Sequence, residues 1–250
     1  MSFLSKFFDF QKQLSLKLEK VFPKRLIIDG NTDFINSFIP KFLKKEIIVC
    51  DVGGGRTPFL KKEVKSRLNI KLKGIDKDIF ELNSAPNGIY DEKFPADISL
   101  FRGKNDVDLL ICQAVLEHVK EIKSAFVGLR SLLKKGGIAL IFVPSKNAVY
   151  AKLNMFFPSQ LKQFLLFNIY PESINKQGHE AFYKNCTPLE IKKLASETGF
   201  QIIESRFYYT SYYFTFLFPL HLLWRFWTMV IECYWGVQGA ETFSIAFKAE

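Results

Sequence analysis

The sequence predicts an α/β protein built on a parallel sheet with helices on both faces. Three observations carry the prediction: short, nearly continuous apolar runs bounded by turn residues, helical spacing between those runs, and three consecutive glycines directly after the first of them.

Ile47-Ile48-Val49-Cys50-Asp51-Val52 reads as the first strand. It runs into Gly53-Gly54-Gly55, and Pro58 is placed to open the next helix. Ile70 to Asp76 forms a second strand, Phe94 to Ile98 a short third and Val107 to Cys112 a fourth. A helix over about Ile122 to Lys134 is broken by Gly136-Gly137 before the strand Ile138 to Val143. Thr187 is an N-cap with Pro188 at the first helical position and Glu190 three residues on, so a helix runs from there to about Thr198 and stops at Gly199. Strands Phe200 to Phe207 and Glu241 to Lys248 close the chain. Ahead of the sheet, residues 3–22 space Phe and Leu as an amphipathic helix with a basic side, and a second helix covers about Thr32 to Lys44. Residues 1–45 therefore form N-terminal amphipathic helices and 46–250 one α/β domain, with insertions at about 147–181 and 208–239. Insertions of that length in a compact domain are usually lids or binding elements.

Composition narrows the class. The 250 residues are 48% hydrophobic, enough for a sizeable core, and the formal net charge of +10 favours an anionic partner or surface. Cys50, Cys112, Cys186 and Cys233 are far apart and form no CxxC, which argues against zinc and a disulfide framework and fits a reducing cytoplasm. The N-terminal charges are spread through the segment, without the uninterrupted apolar stretch of a secretory leader.

A glycine turn between strand and helix lets a ligand approach the backbone; the same turn also occurs without a ligand. Its setting is more specific. Asp76 ends the next strand 21 positions after Gly55, where a carboxylate can accept both hydroxyls of a ribose. Asp51 lies just before the glycines, where a dinucleotide would put its pyrophosphate, and an anion there is unfavourable. A sulfonium and an ammonium, by contrast, suit that carboxylate. The third glycine of GxGxxG is absent, and no Gly-Lys-Ser/Thr follows to make a Walker loop.

These residues resemble a known family. DVGGGRTP resembles the first motif of class I S-adenosylmethionine-dependent methyltransferases, and GIDKD at 74–78 their acidic second motif. PADI at 95–98, DLLICQAVLEHV at 108–119 and LLKKGGIALIFVPS at 132–145 are similar to the later motifs, in the expected order. The resemblance implies a Rossmann-like, seven-stranded, mostly parallel sheet whose last strand is antiparallel. It implies S-adenosyl-L-methionine as cofactor, with Asp51, Gly53, Gly54 and Gly55 around its methionine part and Asp76 on its ribose. Asp97 would accept from the adenine amine with Ile98 against the ring, Lys77 and Ile75 are both candidates to flank the adenine, and Gln113 would lie beside the cofactor.

Methyl transfer to a hydroxyl needs positioning and a general base, a role histidine suits. His118 follows the fourth strand and His179 lies in the first insertion, so both are candidate catalytic residues; His118 as a turn-shaping residue and His179 as a solvated loop residue are the alternatives. His221 sits in an aromatic run and reads as packing. Related quinone methyltransferases place an acid before a Glu-His pair around a metal, but Gln113 or Ala114 stands at that place here, and no metal is expected.

The second insertion, SYYFTFLFPLHLLWRFWTMVIECYW, is interrupted by Pro219, His221, Arg225 and Glu232, and strands on either side tie both ends to one sheet. It reads either as a helix packed on the domain with Arg225 and Glu232 outward, or as an element at a bilayer surface or on a lipid-like acceptor. Residues 1–25 carry six Lys/Arg against two Asp/Glu. The sequence thus predicts a small, hydrophobic or lipid-like methyl acceptor, with O-methylation favoured, and peripheral contact at the inner face of a membrane. A nucleic-acid methyltransferase and a non-catalytic relative of the fold are the alternatives. The first lacks an Asn/Asp-Pro-Pro-Tyr motif and a dense basic patch, so no nucleic acid is expected as partner.

Overall fold

In the computed structural model, which describes residues 3–157 and 180–250, the apolar runs pair into one sheet. Its strands are β1 (Ile48–Val52), β2 (Lys71–Asp76), β3 (Glu92–Pro95), β4 (Val107–Gln113), β5 (Leu133–Pro144), β6 (Phe200–Tyr208) and β7 (Thr242–Ala249). Among the described residues the seven run in the order β3-β2-β1-β4-β5-β7-β6. All pairings are parallel except those of β7, which is antiparallel to both β5 and β6.

The unbroken apolar runs have a direct cause. Successive strand residues face opposite sides, and here both sides are covered. Cys50, Val52, Leu110, Cys112, Ile141 and Val143 pack on one face with Phe126 and Leu129 of the helix α6 (Ile122–Leu132). Val49, Leu109, Ile111, Leu140 and Phe142 pack on the other, with Phe34 and Phe38 from the N-terminal region.

Several local expectations are corrected. Pro58 opens no helix: the chain stays irregular after the glycines and α4 begins at Lys62 (Lys62–Leu68). The third strand sits earlier, at Glu92–Pro95, because its register is set by pairing with Lys73–Asp76, which leaves Ile98 in the turn beyond it. The Thr32–Lys44 helix is divided into α3 (Gly30–Asp33), a wide π turn at Phe34–Phe38 and a tight 3₁₀ turn at Ile39–Lys41. The N-terminal helix α1 (Phe3–Glu19) stops before Val21 and Phe22, and a single turn α2 (Lys24–Ile27) follows. β5 starts five residues early, with Leu133 opposite Val107, then bulges so that Ile138 meets Leu109; Gly136 at φ +80° permits the bulge. The remaining described helices are α5 (Ile79–Asn83), α7 (Val149–Phe156), α8 (Pro188–Glu197) and α9 (Phe218–Trp235). α8 carries the predicted capping box, the Glu190 amide donating to Thr187 Oγ1 and the Thr187 amide to the Glu190 carboxylate.

The second insertion holds the largest correction. Arg225 of α9 is not on the outer face but 1% exposed. All five of its N–H donors are used. Nε and Nη2 donate to the two oxygens of Glu19 on α1, Nη1 to the carbonyls of Leu26 and Tyr209, and Nη2 also to Thr210 Oγ1. His221 lies 2.6 Å from Glu19 and is fully buried, and that burial pulls its pKa down to about 4. Burial likewise pulls Arg225 down to about 10, so it stays charged and balances Glu19. Glu232 is half-turned inward and pairs with Arg25 at 2.9 Å.

Removing one member of a buried ion pair leaves the other uncompensated, at a cost of about 3–5 kcal/mol. Arg225→Met is therefore expected to lower the unfolding free energy in urea by about that amount, whereas Arg25→Ala, on the exposed pair, leaves the midpoint nearly unchanged. Equal midpoints for Arg225→Met and wild type would show that the network does not hold α1 to α9.

Candidate active site

The chain winds outward from β1 to β2 and β3 and then returns to β4 on the other side of β1. Side chains of neighbouring connections diverge at such a reversal and leave a crevice at the carboxyl ends of the strands. A cleft of about 240 Å³ opens there, lined by Gly53, Gly54 and Gly55 after β1, Asp76 and Lys77 at the end of β2, Asp97 and Ile98 after β3, and Ala114, Val115 and His118 after β4.

The glycines are required sterically. Gly53 has φ +77°, and a Cβ there would lie 2.2 Å from Val115 Cγ2. A Cβ on Gly54 would lie 2.2 Å from Asp51 Oδ2 and 2.5 Å from the Tyr90 hydroxyl. Gly55 has φ +48°, and its missing Cβ leaves room for Asp76, whose Oδ2 would be 3.2 Å away. The backbone at this turn is thus open to the cleft on one side and packed hard on the other.

Asp51 is beneath the loop rather than in the cleft lining. It is 3% exposed and accepts from the Phe59 amide and the Tyr90 hydroxyl, both at 3.2 Å. Burial raises its pKa to about 7. Asp76 accepts from the Asp78 amide at 2.9 Å through Oδ1, which fixes the plane of its carboxylate. Asp97 takes both the amide and the hydroxyl of Ser99 on Oδ1, at 2.8 and 2.7 Å. Ile98 is buried in the core below the cleft. Gln113 is not in the lining, since its amide donates to Asn31 Oδ1 across the face of the N-terminal region. His179 lies outside the described residues.

His118 ends a 3₁₀ turn, Leu116–His118, and its ring lines the cleft. Nδ1 lies 2.9 Å from the Glu180 carbonyl, which can only accept, so Nδ1 carries a proton in this contact. Nε2 is 3.7 Å from Glu117 Oε1. Glu117 is 3% exposed, its Oε2 has no hydrogen-bond partner among the described residues, and burial raises its pKa to about 8. The carbonyl of Glu117 accepts from the amides of Phe182 and Tyr183, which draws the segment just after the first insertion to this turn.

Three features escaped the sequence reading. Arg56 and Glu81 form an ion pair on the cleft wall; Asp78-x-x-Glu81 is a helix-start spacing, but nothing in it points to Arg56. Val115 closes on Gly53, a long-range contact that no local pattern encodes. Ala114 sits at φ +53°, an uncommon conformation for a residue with a Cβ, held by the hydrogen bond its amide N–H donates to the Phe142 carbonyl at 2.9 Å.

Comparison with known proteins places this geometry. A family model described as a methyltransferase domain matches residues 24–205. The chain belongs to the class I S-adenosylmethionine-dependent methyltransferases. Its cofactor is S-adenosyl-L-methionine, and the glycine turn that any Cβ would fill, with Asp76 facing it across Gly55, fits that molecule. The methyltransferase is 25% identical over 173 residues to the ubiquinone biosynthesis O-methyltransferase of Cupriavidus pinatubonensis, the match covering 65% of this chain and 62% of that protein. The chain thus spans less than two thirds of that relative's length. In fold it resembles a SAM-dependent methyltransferase from Archaeoglobus fulgidus, with a TM-score of 0.51 and 18% identity over 87% of this chain and 92% of that one. It also resembles phosphoethanolamine N-methyltransferase 2 of Haemonchus contortus, solved with S-adenosyl-L-methionine, with a TM-score of 0.56 and 14% identity over 100% of this chain and 60% of that one.

Two expectations follow. Gly53→Ala adds both backbone strain and the Val115 collision, so calorimetric affinity for S-adenosylmethionine should fall at least about tenfold, a cost near 1.4 kcal/mol; Val115→Ala in the same chain should recover part of it. A single mutant that binds as tightly as wild type would remove the steric argument. The second concerns pH. Asp51 and Glu117 have folded pKa values raised above their unfolded ones, so the folded state holds more protons between roughly pH 4 and 8. Each therefore contributes a loss of stability as pH rises through that window. The melting temperature of Glu117→Gln should fall less than that of wild type between pH 5 and 8; parallel curves would contradict the burial argument.

Proposed function

We propose that this methyltransferase transfers a methyl group from S-adenosyl-L-methionine to an oxygen of a small, hydrophobic acceptor. The carrying observation is His118: its ring lines the cleft with Nδ1 held by the Glu180 carbonyl, an orientation that in the neutral ring makes Nε2 the proton acceptor. The cofactor supplies an already activated methyl group on a good leaving group. The protein's part is then to hold the acceptor in line and to remove its hydroxyl proton at Nε2 of His118.

In this reading Asp76 holds the ribose, Asp97 takes the adenine amine through Oδ2, Ile98 supports the ring with Lys77 at its edge, and Gly53, Gly54 and Gly55 admit the methionine part over Asp51. Gln113 joins the cofactor only on leaving Asn31. His179 is retained as a second candidate, reaching from the first insertion. An apolar acceptor is supported by aromatic residues from both insertions, with Tyr150 and Tyr213 stacked at 4.5 Å and Tyr183 joined through its amide to the Glu117 carbonyl. O-methylation is further supported by the O-methyltransferase relative.

We also place the enzyme in a reducing cytoplasm, in peripheral contact with the inner face of a membrane. Cys50, Cys112, Cys186 and Cys233 are all free. Among the described residues no helix is long and apolar enough to cross a membrane.

An untargeted screen of metabolite and lipid extracts with methyl-labelled S-adenosylmethionine is expected to give a labelled, organic-extractable product. His118→Gln should lower kcat by about 10²–10⁴ with cofactor affinity unchanged, while Asp76→Ala should lose cofactor binding. Undiminished turnover in His118→Gln removes the base assignment. Cofactor binding without any labelled product would favour a non-catalytic relative of the fold.

A further inference from the structure

α9 is amphipathic in the reverse of the usual sense. At 3.6 residues per turn, His221, Arg225, Thr228 and Glu232 share one side, and that side is turned inward: His221, Arg225 and Thr228 are buried, and Glu232 is half-buried. The opposite side presents Leu222, Leu223, Phe226, Trp227 and Tyr234 to solvent and carries no charge; Leu223 is 68%, Phe226 64% and Tyr234 83% exposed. A surface helix in water normally buries its apolar stripe. The bonds that fix this orientation are those of Arg225, so the outward apolar face is specified rather than incidental. Single exposed apolar residues are ordinary, but an uncharged apolar strip along a helix of about 27 Å marks an interaction site.

The charge around the strip indicates the partner. α1 packs beside α9, with Gln11 accepting from the Phe218 amide at 3.0 Å and the Phe8 and Phe216 rings 6.1 Å apart. Its outer side adds Phe10, 58% exposed, next to Lys6 and Lys17. Between residues 6 and 25, six of the seven exposed charged side chains are Lys or Arg, and the seventh is Asp9. Glu19, an acid on the same helix, is consumed by Arg225. At the far end Lys152 lies over the Trp235 ring, 5.5 Å from its centre. An uncharged apolar and aromatic strip bordered by lysines complements an anionic bilayer, whose headgroups meet the cations while the rings enter the interface.

We infer that the outward face of α9, flanked by the basic side of α1, is the surface on which this methyltransferase docks to an anionic lipid bilayer. The inference rests on the peripheral-contact reading above and assigns the surface that makes the contact. Its position adds a consequence. β6 runs parallel to β5, and β7 returns beside both, so the β6–β7 connection that carries α9 emerges at the carboxyl edge of the sheet, the edge that holds the cleft. A hydrophobic acceptor in the bilayer would then reach the cleft from the membrane side.

The test is sedimentation of the full chain with vesicles of phosphatidylcholine alone or mixed with phosphatidylglycerol. Wild type should bind the mixed vesicles, more weakly at high salt. Leu223→Glu with Phe226→Glu should weaken that binding at least about tenfold, since each side chain withdrawn from water is worth at least one factor of ten. Lys6→Glu with Lys17→Glu should weaken binding to the mixed vesicles selectively, and Leu189→Glu, at an exposed apolar site on α8, should change nothing. All these variants should keep cofactor affinity and circular dichroism, because the altered side chains face outward. Wild type that stays in solution with mixed vesicles overturns both the surface and the peripheral-contact reading. Equal binding by the Leu223/Phe226 variant overturns the surface alone. A lipid-free dimer that this variant dissociates would assign the face to a second copy of the chain and also overturn the inference.

Discussion

The carboxyl end of β1 has no room for a β-carbon. Val115 closes on Gly53, and Asp51 and Tyr90 close on Gly54, so the loop is wedged from behind while its other side stays bare. That close packing turns the generic crevice at a strand-order reversal into a defined cradle. It also explains the buried carboxylate of Asp51, which holds the Phe59 amide and the Tyr90 hydroxyl and sits under the loop instead of in it. The other cleft residues hang from neighbouring strand ends, Asp76 and Asp97 each positioned by a bond within its own turn, from Asp78 and Ser99, and His118 by the distant Glu180 carbonyl.

The last third of the chain depends on a different device. A guanidinium with all five donors satisfied, in contact with two backbone carbonyls, a hydroxyl and a carboxylate, leaves α9 a single way to sit. Burying charge is expensive and seldom the cheapest route to stability. What it gives here is direction, since it commits the polar side of α9 to the protein and its apolar side to the surroundings. The glycine-lined cleft and the apolar face therefore arise from separate constraints on one edge of the sheet.

Much of this was legible in the chain itself. The strands were readable because burial on both faces demands apolar runs, and the α8 cap because Thr-Pro-x-Glu encodes its own hydrogen bonds. The position of the glycines, Asp76, Asp97 and His118 around the cleft was readable because each follows the end of a strand, and parallel strands bring those ends to one edge of the sheet. The misplacements were at Pro58, at the start of β5 and in the Phe34–Lys41 turns, where pairing with distant strands or packing against the sheet set the boundary.

The sequence by itself determined the sheet and the order of its motifs, which are written in local periodicity and in residue types at fixed offsets, and the resemblance of those motifs to a known family implied the methyl donor. The tertiary structure decided which side of α9 faces inward, that Asp51 braces the loop from below, that Gln113 turns to Asn31, and that Glu117 is buried beside His118. These depend on contacts between residues far apart in the chain, such as Glu19 with Arg225, separated by 206 positions. A helical pattern states that a polar side and an apolar side exist. Only the partner that packs against the helix determines which of them meets water.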